Sequence, residues 1–209
     1  VQISNTKIYG LEESIYASGY AMVTEIPTEI EFNREVEQIK RDLILGNYVS
    51  NKHIKRMFNL GNTPIGSGHD QCLTGIIVQF DLKIPIKMWV EAQRYSFLEF
   101  VTSSSTMHKI KDFKLDKSMF NKYVEQSTID NLNRLQQEYR LNPTEENYMT
   151  LLMNAPVGLE IFARMTTNYR QLKTIVSQRN SHALEDWKEF CRWAKRLPYF
   201  KEIALREKV

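Results

Sequence analysis

Residues 66–108 read GSGHDQCLTGIIVQFDLKIPIKMWVEAQRYSFLEFVTSSSTMH, and this stretch decides the fold. Leu73 to Leu82 alternates Ile76, Val78, Phe80 and Leu82 with Ile77, Gln79 and Asp81, the period-two signal of a half-buried strand. Pro85 suits the first turn of a helix, and Met88, Trp89, Ala92, Tyr95, Ser96 and Glu99 recur on one side at helical spacing. A helix from Pro85 to about Phe100 is therefore expected. Arg94, Ser96, Glu99, Thr102, Ser103, Ser104, Ser105 and His108 crowd its end, as the wall of a polar pocket would. Each has a plainer reading as a solvated or capping residue, and Glu99 is expected to be an exposed end residue because a lone buried carboxylate is costly.

On the N-terminal side, residues 1–27 carry short β-like runs, VQISNTKIYG and YAMVTEI, divided by Gly10 and Gly19. Thr28 followed by Glu31 is a capping box opening a helix that Gly46 stops. A shorter basic helix after Ser50 carries His53, Lys55 and Arg56, read as a solvated face. On the C-terminal side, residues 109–126 read as a surface insertion. Polar helices follow over Ser127–Arg140 and from Asn142–Pro143 to Asn154. LEIFARMTT is strand-like or helical. A helix runs from Thr167 to Arg179, and Ser181 is expected to cap a last one ending at Pro198.

The chain of 209 residues carries a net charge of +3 with acids and bases interspersed, so no polybasic arm points to nucleic acid. No run is long and apolar enough to span a bilayer and no signal-peptide pattern occurs, so a cytoplasmic protein without membrane contact is expected. The initiator is expected to be removed or unlisted. Cys72 and Cys191 read as free thiols. One mixed, helix-rich α/β (α+β) domain over residues 1–209 with a central mixed sheet is the economical reading. Neither a P-loop nor GxGxxG occurs, GSGHD is no nucleophile elbow, and the four histidines lack metal-ligand spacing. What remains is a set of arginines and hydroxyls suited to an anionic ligand: Arg94, Ser104, Arg170 and Arg179.

From Gly68 onward the central stretch resembles the flavin-dependent thymidylate synthases (the ThyX family). That family has a Gly-His turn, a strand, a Lys-x-Pro-Ile-type turn and a helix ending in RHRxxSxNExSxRY. Gly68-His69, Phe80, Lys83, Pro85-Ile86, Arg94 and Ser104 fall at matching separations. A second segment, Asn168-Tyr-Arg170-Gln-Leu172 through Arg179 and then Ser181-His182-Ala183, is similar to the family's NLRxLxxFLxLR…SHAQxE. The resemblance implies a ThyX-like fold in a homo-oligomer, typically a tetramer. It implies FAD and a pyrimidine nucleotide such as dUMP, and methyltransferase chemistry of nucleotide biosynthesis using methylenetetrahydrofolate and NADPH. It places His69, Arg94, Asn168 and Arg170 at the flavin and Ser104 and Arg179 at the nucleotide. Arg179 would polarise the pyrimidine carbonyl.

The departures are as specific. Tyr95 and Ser96 stand where the second and third residues of RHR are expected. Glu99, Val101 and Thr102 replace the Ser, Asn and acid, and Thr106-Met107 replaces the final Arg-Tyr. Leu152 stands where the family has an arginine before its Leu-Pro turn. Each lost charge-assisted bond removes about 1.5–3 kcal/mol, and two remove roughly two to four orders of magnitude in nucleotide affinity. Three readings follow: a divergent enzyme transferring a one-carbon unit to a pyrimidine deoxynucleotide, a non-catalytic nucleotide- or protein-binding member of the same fold, or a plain α/β protein outside the family whose Ser/Thr cluster only caps a helix.

Overall fold

Gly10, in the left-handed region at φ 72°, separates strand β1 (Gln2–Tyr9) from helix α1 (Leu11–Ala17). A Cβ at Gly10 would stand 2.6 Å from the carbonyl oxygen of Gly75, so glycine is what lets α1 sit this close to the turn at 69–75. The structure, a computed structural model, describes residues 1–205. It continues through α2 (Glu29–Leu45), α3 (Lys52–Gly61), a 3-10 turn (His69–Gly75), β2 (Ile77–Pro85), α4 (Ile86–Ala92), β3 (Glu99–Ser103) and α5 (Thr106–Lys109). Then come α6 (Gln126–Leu141), α7 (Glu145–Met153), β4 (Glu160–Asn168), α8 (Tyr169–Arg179), α9 (Glu185–Ala194) and α10 (Phe200–Ala204). The fold is helix-rich α/β around a four-stranded sheet in the order β1-β2-β4-β3, and its pairing is antiparallel where a mixed sheet was expected.

The capping box is present in full: the Thr28 side chain accepts from the Glu31 N–H, the Glu31 carboxylate accepts from the Thr28 N–H, and Gly46 ends α2 at φ 72°. Other expectations are corrected. YAMVTEI forms a 3-10 turn and loop, with Met22, Val23 and Ile26 exposed. The central strand starts at Ile77, not Leu73, because residues 69–75 wind into 3-10 turns that carry Asp70 inward. The helix after Pro85 ends at Ala92. The run FLEFVTS is rich in aromatic and β-branched residues, and its backbone pairs with β4 through β3. Ser181 does not cap α9: that helix starts after Leu184, whose N–H donates to Nδ1 of His182.

The described chain divides into two compact units, residues 1–5 with 80–165 and residues 6–79 with those from 166 onward. Strands β1, β2 and β4 each contribute residues to both. In the first unit, Ile129, Leu132 and Leu135 of α6 and Leu151 of α7 pack with Ile110, Leu115, Phe120 and Leu159. The segment expected to be a surface insertion thus supplies core residues. Gln136 holds it by donating to the carbonyls of Ile110 at 3.0 Å and Phe113 at 2.8 Å. In the second unit, Ile39, Ile54, Met57, Leu73, Tyr169, Trp187, Phe190 and Phe200 are fully buried. Cys72 and Cys191 are free, and among the described residues no helix is long and apolar enough to cross a membrane.

Candidate functional site

The second unit contains a charged cluster that the sequence reading missed. Asp70, in the 69–75 turn, is 1% exposed. Its Oδ1 accepts from Nε of Arg170 at 2.9 Å and its Oδ2 from Nζ of Lys173 at 2.8 Å. Arg170 and Lys173 stand three residues apart on α8 and so share a face. Lys173, whose side chain is 7% exposed, also donates to the carbonyls of Gly61 at 2.8 Å and Thr63 at 2.6 Å, which uses all three ammonium protons. Burial pushes the Asp70 carboxyl up, but the bonds from Lys173 and Arg170 outweigh it and hold the group below the usual carboxylate range. The signal for this cluster was a lysine set among Leu172, Ile175 and Val176 on the buried face of a helix.

Arg170 is only partly enclosed. Its Nη1 donates to Oε1 of Gln71 at 2.8 Å, and its Nη2 has no partner among the described residues. His69, just before Asp70, is exposed. Asn168 is buried, and its Oδ1 caps α8 by accepting from the Gln171 N–H at 2.8 Å, so that oxygen is committed to the fold. Nine residues separate Arg170 from Arg179, about two and a half helical turns, which sets them on opposite sides of α8. The guanidinium of Arg179 lies over the Trp187 ring, 4.9 Å from its centroid. His69, Asn168 and Arg170 therefore gather at the N-terminal end of α8, and Arg179 stands at the other end.

In the first unit, Arg94 lies exposed in the turn after α4, with no ion pair or hydrogen bond from its guanidinium among the described residues. Ser104 follows β3. Its N–H donates to the Phe162 carbonyl at 2.8 Å, and its Oγ accepts from the Phe162 N–H at 3.2 Å, leaving the hydroxyl proton uncommitted. Tyr95 is buried, whereas Ser96 and Glu99 are exposed. The polar residues expected at one helix end are split between a turn, a strand, the loop into α5 and, for His108, α5 itself.

The basic face expected on α3 is also corrected. His53 is 8% exposed and Arg56 is half-buried, because α1 offers acceptors there. Nε of Arg56 donates to Oγ of Ser18 at 3.0 Å, and its Nη2 to the Tyr16 carbonyl at 3.3 Å and to Nδ1 of His53 at 2.8 Å. That bond makes Nδ1 the acceptor, so the neutral ring carries its proton on Nε2. Oε2 of Glu35 stands 3.4 Å away, a contact that leaves Nε2 without a hydrogen-bond partner. Burial and the charges of Arg56 and Lys52 push the His53 pKa down. An open cavity of about 650 Å³ adjoins these groups, walled also by Tyr16, Tyr20 and Ile26. Among the described residues no group of side chains is arranged to hold a metal ion.

No family model matches the chain, and no curated protein does. Solved structures do. A flavin-dependent thymidylate synthase ThyX from Helicobacter pylori, complexed with FAD and dUMP, superposes with a TM-score of 0.63. The match covers 97% of this chain and 96% of that one at 12% identity. A second Helicobacter pylori ThyX structure with FAD and dUMP gives a TM-score of 0.55 at 15% identity, over 79% of this chain and 88% of that one. The chain shares their fold.

Proposed function

We propose that this chain is a divergent flavin-dependent thymidylate synthase-like protein that binds FAD and a pyrimidine deoxynucleotide, dUMP or a close relative. One observation carries the reading: the turn that carries His69, in the family's first motif segment, bonds through Asp70 and Gln71 to Arg170 of the second at the start of α8, where Arg170 keeps one nitrogen without a partner among the described residues. The fit to FAD is supported in kind, since a guanidinium edge, an exposed imidazole and the first turn of an eleven-residue helix all suit phosphate or carbonyl oxygens. Arg94, exposed and unpaired, is the further cofactor contact, and Asn168 offers only its amide nitrogen. Bound FAD would supply the redox and one-carbon chemistry, with methylenetetrahydrofolate and NADPH as co-substrates; the protein would bind and orient. In this reading Ser104 donates its hydroxyl proton to the nucleotide and Arg179 polarises the pyrimidine carbonyl. The chain acts as one domain, in the cytoplasm, as a homotetramer.

A second reading has its own support. Arg179 is stacked on Trp187, and Thr106 and Met107 stand where the family has a cation and a tyrosine. These favour a non-catalytic member that keeps the fold and binds a nucleotide or a protein. The absorbance spectrum of the purified protein, before and after FAD loading and desalting, tests the first reading. A retained flavin band that responds to dUMP supports it. A colourless protein after loading overturns it, and a flavoprotein that turns over no deoxynucleotide favours the second.

A further inference from the structure

We propose that Asp70 and Lys173 form a buried positioning pair that aims the Arg170 guanidinium, with its charge uncancelled, at an anionic group of the bound cofactor; this rests on the flavin reading above. The argument starts from charge. One carboxylate faces two cations, so the cluster carries a net +1. Lys173 is enclosed and has no proton left to give, so it cannot touch a ligand. Its positive charge instead balances Asp70, and the surplus resides on Arg170, the member that reaches the surface. Had Asp70 paired with Arg170 alone, the carboxylate that orients the guanidinium would also have cancelled its pull on an anion.

Geometry completes the argument. Asp70 holds Nε and Gln71 holds Nη1, which fixes the plane of the guanidinium and leaves Nη2 as the presented edge. The Lys173 bonds to Gly61 and Thr63 in turn tie the end of α3 and the chain just beyond it to α8. An ordered guanidinium loses little freedom when an anion arrives, and that saving is what positioning contributes to affinity.

The double variant Asp70→Asn with Lys173→Met removes both members of the pair, leaves no uncompensated buried charge, and keeps the net +1 on Arg170. Gln71→Ala loosens Nη1 from an exposed position and leaves the core untouched. Two readouts are taken on the full chain: the Nε–Hε NMR signal of Arg170, assigned with Arg170→Lys, and titrations with FAD and with inorganic pyrophosphate. In the unaltered protein the signal is sharp and slow to exchange. In the double variant it averages with solvent and affinity for both probes falls roughly tenfold, with about a threefold fall in Gln71→Ala. An unchanged signal in both variants, or a lost signal with unchanged affinity, overturns the proposal. If FAD is not taken up but pyrophosphate binds and weakens as described, the flavin reading falls and the positioning pair stands.

Discussion

The turn at 69–75 and the stretch from Arg94 to Ser104 belong to one continuous motif-bearing segment, yet their own units treat them in opposite ways. The turn is locked: Asp70 is buried beneath two cations, and Leu73 packs in the core. The later stretch is bare. All five residues of β3 are exposed, Phe100 and Val101 among them, as is Phe97 just before the strand, and the Arg94 guanidinium has no partner among the described residues. Exposed apolar side chains clustered on an edge strand form a surface of the kind that ligands or partner chains use. The turn is held in place by this chain's own side chains, whereas the later stretch lies open on the surface of its unit.

The strongest way to break that contrast is Lys173→Met alone. It strips Asp70 of its buried counter-ion and leaves two backbone carbonyls unsatisfied, so unfolding free energy falls by about 3–5 kcal/mol. Urea denaturation should show the midpoint dropping sharply, with most of the loss recovered when Asp70→Asn is added. A loss below about 1 kcal/mol would mean the turn is held by its apolar packing instead.

Much of the fold was legible because it is local. Thr28 and Glu31 announced α2, Gly46 its end, and the alternation around Val78 and Phe80 announced β2. The candidate site was legible only where residues present themselves singly. Arg94 and Ser104 were singled out by motif spacing, but the helix opened at Pro85 was expected to reach about Phe100, since Met88, Trp89 and Ala92 set a helical period that ends at Ala92, before β3 begins at Glu99. Asp70 and Lys173 lie 103 positions apart, and nothing local says that their charges meet. His53 and Arg56 looked like a solvated face because the acceptors that draw Arg56 inward, Tyr16 and Ser18, belong to a helix hidden between two glycines.

A smaller effect tests whether the locked region tolerates a second buried ionisable group. Because the folded-state pKa of His53 is lowered, its contribution to stability is complete above the unfolded value of about 6.5. As pH falls below that, the unfolded chain takes up the proton first, and stability is lost until pH passes the folded value. Thermal midpoints between pH 7 and 5 should therefore fall more steeply in the unaltered protein than in His53→Gln, which accepts from Arg56 without titrating. Parallel profiles would show that His53 protonates freely.

The smallest expected change in stability comes from the bare stretch, and it separates that stretch most cleanly from the turn. Val101→Ser and Arg94→Ala change exposed side chains, so each should leave the unfolding free energy of the isolated subunit, from urea denaturation, within about 0.5 kcal/mol of the original. Self-association is where Val101→Ser should register. If a second copy covers β3, sedimentation at a fixed concentration should shift from the larger species towards the single chain, because a polar hydroxyl replaces apolar area at the contact. Arg94→Ala should leave the sedimentation profile unchanged while weakening FAD retention. A Val101→Ser protein with unaltered sedimentation would assign the bare strand to a ligand, and a destabilised one would show that the strand is already part of the folded core.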